Sequence, residues 1–120
     1  MSVTFLQPDG LVRSPAFSHV AVVPPGSATV YLGGQNGVDA TGALVSPEVG
    51  PQAARALDNA KVALAAAGAT LDDVVQWFVL IDASADVGAA YGAIAPQLAR
   101  EGRRRSRPGH VSRGSGCRGR

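Results

Sequence analysis

Residues 31–81 read YLGGQNGVDATGALVSPEVGPQAARALDNAKVALAAAGATLDDVVQWFVLI, and this stretch decides the fold. Its entry, 29–32 (TVYL), is β-branched, aromatic and aliphatic, so a short strand is expected to run into Gly33-Gly34-Gln35-Asn36-Gly37. Gly33 and Gly34 remove side chains where either a packed strand or a ligand at an open backbone amide could approach closely. Gln35 and Asn36 add amide groups there, Gln35 fitting a loop hydrogen-bonder better than a catalyst. Asp39-Ala40-Thr41-Gly42 reads as a turn. Ser46-Pro47-Glu48 supplies a cap residue, a proline suited to the first helical position and an acid, which predicts a helix from residue 47 or 48. Val49, Ala53, Ala56, Leu57, Ala60, Leu64 and Ala67 then recur at three- and four-residue steps, and Gly68 is placed to end the helix. After a turn at Leu71-Asp72-Asp73, the near-continuous apolar run 74–81 (VVQWFVLI) predicts a strand buried on both faces.

Working outward, 17–23 (FSHVAVV) predicts a first strand, Pro24-Pro25-Gly26-Ser27 a turn, and 29–32 its hairpin partner. Downstream, Ser84 or Asp82 could cap a second helix with Val87, Tyr91, Ile94 and Leu98 on one face. Pro96 lacks an amide donor and crowds the preceding turn, so that helix is expected to end or kink near residue 95. The order β-β-α-β-α gives an α+β fold, a mixed sheet with both helices on one face, completed only by a further strand. Asn59, in mid-helix, is expected to tie down a loop. Arg55 suits a solvated or interface position, and Trp77 the core. His19 has no visible partner and is not assigned to catalysis.

The 120 residues make one domain, for which oligomerisation would add useful burial. No apolar run is long enough to span a bilayer, and Met-Ser-Val-Thr-Phe lacks the basic start and apolar centre of a signal peptide, so a cytoplasmic location is the expectation. Cys117 is the one cysteine, and no Cys/His spacing suggests a metal site. Charge divides the chain sharply. Residues 1–99 carry three basic against eight acidic side chains, net −5, whereas 100–120 carry eight arginines against Glu101, net +7.

Phe17-Ser18-His19, Gly33-Gly34-Gln35, Asp39-Ala40-Thr41-Gly42, the run Gln52-Ala53-Ala54-Arg55-Ala56-Leu57-Asp58-Asn59, and Ala66-Ala67-Gly68-Ala69 leading to Asp73-Val74-Val75 together resemble the RidA/YjgF reactive intermediate deaminase family. Its members are also described as endoribonuclease L-PSP-like or translation initiation inhibitor-like. The resemblance covers roughly residues 15–98. It implies a chorismate-mutase-like fold, a homotrimer, and small-molecule clefts between subunits where imines and enamines are hydrolysed to keto compounds and ammonia without a cofactor. It also implies Phe17, Gly33, Gly34, Gln35 and Tyr91 as substrate-binding residues. Phe17 stands where a cleft tyrosine is usual, and Tyr91 where an asparagine is common. The archetypal carboxylate-binding arginine, in a Pro-Ala-Arg-Ser/Thr segment, and a glutamate near the C-terminus have no recognisable counterpart. No catalytic residue is therefore assigned.

Residues 1–102 are taken as the RidA/YjgF-like domain and 103–120 as an atypical Arg/Gly-rich tail. Shifting the reading frame from the Arg103/Arg104 junction permits Pro-Pro-Val/Leu-Ala/Thr-Thr, and from Val111/Ser112 Val-Ala-Gly-Leu-x-Val-Pro-Gly-Ala. Both resemble the family's last segments, which favours a frameshift or sequence error over a purposeful basic arm. Three functions fit these residues: a RidA-like trimer acting on a small imine, enamine or carbonyl compound; a non-enzymatic member binding a metabolite or a protein; and a nucleic-acid-binding arm. The last is disfavoured, because the arm lacks interleaved aromatics and the body is acidic.

Overall fold

The computed structural model describes residues 3–98, an α+β arrangement. In chain order these form β1 (Thr4–Leu6), β2 (Val20–Val22), α1 (Val49–Ala66), a 3-10 turn (Leu71–Asp73) and α2 (Val87–Leu98). The segment 103–120, with its proposed change of frame, lies outside the described residues. No helix among the described residues is long and apolar enough to cross a membrane.

Helix α1 starts at Val49, slightly later than predicted, because Ser46 Oγ accepts from the Glu48 amide at 3.1 Å and holds Pro47 and Glu48 ahead of the helix. Glu48 is the N-cap, and its carbonyl receives the first helical bond from Gln52 N at 3.2 Å. Pro51 therefore sits in the first turn, where the amide it lacks would have no intrahelical partner. At the far end Gly68 adopts φ 72°, and bonds from Gly68 N to Ala65 O and from Ala69 N to Leu64 O close the last turn. Thr70 and Asp73 then cap the 3-10 turn reciprocally: the Thr70 side chain receives the Asp72 amide, and Asp73 Oδ2 receives the Thr70 amide at 2.8 Å.

Helix α2 begins later than expected. Its N-cap contact is Ala89 N to Asp86 Oδ1 at 3.1 Å, while Asp82 and Ser84 bond to each other in the turn before it. The helix also passes Pro96 and continues to Leu98, contrary to the predicted end near residue 95. Pro96 costs one donor so close to Leu98 that the preceding turns keep their own bonds. The two helices pack on each other through Leu57, Ala60 and Leu64 of α1 and Ala90 and Ile94 of α2, the buried apolar residues among those described. Gly50 lets α2 close in, lying within 3.7 Å of the Ala89 carbonyl by the position a Cβ would take. Of the predicted face of α2, Ile94 is buried, whereas Val87 and Tyr91 are 52% and 43% exposed.

The sheet differs most from expectation. It has two antiparallel strands, β1 and β2, with Thr4 opposite Val22, Phe5 opposite Ala21 and Leu6 opposite Val20. The partner of β2 is thus the N-terminal strand, not 29–32. Pro24 and Pro25 follow β2 without amide donors, and Ser27 Oγ satisfies the Pro24 carbonyl locally at 2.9 Å, so the turn forms without a ladder beyond it. Residues 29–32 join no strand, and the predicted buried strand 74–81 is neither a strand nor buried: Phe78 and Leu80 are 82% and 83% exposed. A strand buried on both faces needs a hydrogen-bonding neighbour and a covering layer. Among the described residues no strand pairs with 75–80.

Candidate functional site

A cleft of about 390 Å³ lies between the β1–β2 hairpin, residues 74–79 and α2. Extended segments on either side supply most of its lining. Phe17, Ser18 and His19 come to it from the segment before β2 and Ala21 from β2 itself, with Phe5 beside Ala21 across the ladder. On the opposite wall stand Val75, Trp77 and Val79. Tyr91 and Leu98, two turns apart on α2, complete it.

Several contacts fix the mouth. Gln7 Nε2 donates to the Phe17 carbonyl and, at 3.3 Å, to that of Ser14, while Gln7 Oε1 is buried without a partner. His19 stands edge-on to Phe17, with ring centres 5.4 Å apart. Its Nε2 lies 2.7 Å from the Val12 carbonyl, an acceptor only, so Nε2 carries the proton and donates it. The basic groups among the described residues are engaged elsewhere. Arg13 pairs with Asp9 at 2.6 Å, Arg55 Nε donates to Asn59 Oδ1 at 3.0 Å, and Lys61 bonds Asp58 at 3.0 Å and reaches Gln97.

The structure therefore brings Phe17 and Tyr91 to one cleft and leaves Gly33, Gly34 and Gln35 outside it. Among the described residues nothing beyond the chain neighbours comes within 4 Å of where a Cβ would stand on Gly33 or Gly34, and Gln35 Nε2 turns back to the Gly33 carbonyl at 3.2 Å. The close approach falls instead at Gly37, where a Cβ would stand 2.5 Å from Gln52 Cα. Asn59 does tie down this loop, its Nδ2 donating to the carbonyls of Asn36 at 3.0 Å and Val38 at 2.9 Å. Beyond it Asp39 organises the predicted turn by accepting from the Thr41 hydroxyl at 2.6 Å and the amides of Thr41 and Ala43. These bonds, led by the Thr41 hydroxyl, hold its carboxyl below the usual range.

Trp77 lines the cleft at 38% exposure rather than filling a core, and His19 and Phe5 were not predicted to join Phe17 there. The nearness of Phe17 and His19 in the chain is the signal that links them; Phe5 has none, because its place depends on pairing across the sheet.

Residues 12–109 match the family model described as Endoribonuclease L-PSP. The chain belongs to the endoribonuclease L-PSP (RidA/YjgF) family. No curated protein and no solved structure matches it. Within this RidA/YjgF chain the family match takes in α1, α2, the 38–44 turn and the cleft lining other than Phe5, whereas β1 lies before it.

Proposed function

We propose that this RidA/YjgF chain assembles as a homotrimer and hydrolyses a small imine or enamine to a keto compound and ammonia, without a cofactor, in a cleft completed by a neighbouring subunit. The observation that carries the proposal is that Phe17 and Tyr91, the two aromatic positions at which the family resemblance puts ligand contacts, meet at one cleft. Gly33, Gly34 and Gln35 would be supplied from a neighbouring copy. Tyr31, Phe78 and Leu80, each more than four-fifths exposed, offer the apolar surface for association. In the reaction a water oxygen bonds to the imine carbon and the C=N electron pair passes to nitrogen. Nitrogen takes up the protons that water releases, and ammonia leaves as the carbonyl forms. His19, the imidazole in the cleft, is suited to carry one of those protons through Nδ1.

The test generates imines in place with an amino-acid oxidase and follows keto product and ammonia, alongside the mass of the assembly in solution. Faster release than in buffer, from a trimer, supports the proposal. A trimer without acceleration instead supports a non-enzymatic member that binds a metabolite or a protein. One observation favours that second function: Arg13, Arg55 and Lys61 do not line the cleft of their own chain.

A further inference from the structure

We infer that Asn36-Gly37 is a self-modification site, at which the Gly37 amide can displace ammonia from the Asn36 side chain, and that Asn59 holds it unreacted.

The chemistry belongs to the dipeptide. The Gly37 nitrogen, giving up its proton, bonds to Asn36 Cγ; the Cγ–Nδ2 bond breaks and ammonia leaves with that proton, closing a succinimide ring. Water then opens the ring at Cγ, leaving aspartate, or at the backbone carbonyl, leaving isoaspartate with the chain rerouted through Cγ. Asparagine is thermolabile, and a following glycine, having no Cβ, hinders the attack least. The chain cannot escape the reaction by changing residue 37, because a Cβ there would stand 2.5 Å from Gln52 Cα. Nor is the nucleophile occupied by the fold: the Gly37 amide donates to no backbone carbonyl among the described residues.

What opposes the reaction is geometry. The peptide plane linking residues 36 and 37 is rigid, so turning its nitrogen onto Asn36 Cγ swings the Asn36 carbonyl with it. Ring closure also takes the backbone out of the ordinary β and α wells. That carbonyl is held twice, by Asn59 Nδ2 at 3.0 Å and by Val38 N at 2.9 Å. On the far side of Gly37, Asn59 Nδ2 holds the Val38 carbonyl at 2.9 Å, and Val45 N holds that of Gly37 at 3.0 Å. Arg55 Nε, donating to Asn59 Oδ1 at 3.0 Å, keeps the carboxamide turned with its nitrogen toward the loop. All of these bonds lie within one chain, so the restraint acts whether or not the chain associates.

The test ages the full-length protein in mildly alkaline buffer and follows residue 36 by peptide mapping, with isoaspartate detected separately. A synthetic peptide of residues 31–41 sets the unrestrained rate. Asn36 and Asn59 are the asparagines of the chain, so in Asn59→Asp every loss of asparagine is at residue 36. That variant keeps the shape of the side chain and the acceptor for Arg55 but gives up both loop bonds. The wild type is expected to react at least about tenfold more slowly than the peptide, and Asn59→Asp about tenfold faster than the wild type, the effect of two lost hydrogen bonds. A wild type as fast as the peptide overturns the inference. So does an Asn59→Asp protein that is folded by circular dichroism and ages no faster than the wild type. Should Asn59→Asp not fold, Arg55→Ala decides: releasing the carboxamide should give a smaller but measurable rise, and no rise overturns the inference.

Discussion

Residues 36–73 are far less apolar than residues 74–81, which are apolar at every position but Gln76, yet the more apolar segment is the one left exposed. In the first segment polar groups find partners nearby: α1 is closed by Gly68, the turn after it by Thr70 and Asp73, the 38–44 turn by Asp39, and the loop before it by Asn59. In the second, Val75, Phe78 and Leu80 stay half or more exposed, and no backbone hydrogen bond joins 75–80 to another described residue. Helices and turns complete their hydrogen bonds within a dozen residues, whereas a strand depends on chain from elsewhere. The comparison teaches where this protein is self-sufficient and where it needs a neighbour.

The sharpest test truncates a leucine in each region. Leu57→Ala removes a side chain only 5% exposed at the α1–α2 contact and should cost about 3 kcal/mol in denaturant unfolding, regardless of protein concentration. Leu80→Ala should cost less than about 0.5 kcal/mol at dilutions where the chain is a monomer, with a larger loss only where it associates. Equal, concentration-independent costs would break the comparison. Next in size, Gly37→Ala forces a methyl to within 2.5 Å of the Gln52 backbone and should cost about 2 kcal/mol. Asn59→Ala should lose about 1.5 kcal/mol by freeing two loop carbonyls, with faster amide exchange around residues 36–45. The smallest effect is electrostatic. The Asp39 carboxyl is held below its ordinary value of 3.8, so the stability it contributes is complete above that pH and disappears as pH falls through the lowered value. The gap between wild type and Asp39→Asn should therefore narrow on acidification below 3.8; a constant gap would show that the carboxylate's charge plays no part.

This division also explains what the sequence made legible. The extent of α1, its stop at Gly68 and the Asp39 turn follow from residues lying next to the groups they serve, and the anchoring role of Asn59 from a polar amide in mid-helix that bonds a loop more than twenty residues earlier. The start of α2 falls later than Asp82 or Ser84 suggests because those two bond to each other in the preceding turn, and Asp86 takes the cap instead. Pairing of β2 with Thr4–Leu6 could not be foreseen from TFL, three residues too short for a periodic signal. Of the candidate site, Phe17 and Tyr91 line one cleft, and Phe5 and Trp77 join them only through tertiary placement.

Asn59 carries one last consequence. A bond from Val38 N to the Asn36 carbonyl at 2.9 Å folds the chain tightly at Gly37, and this turns the carbonyls of Asn36 and Val38 toward the same amide nitrogen. The carboxamide is thus a key cut for one rotational setting of the helix. Adding or removing a residue between Gln52 and Asn59 would swing it by about 100° out of its lock. The spacing from the start of α1 to Asn59 is therefore fixed to the residue, and any natural variation in the length of this helix should fall beyond Asn59, toward Gly68.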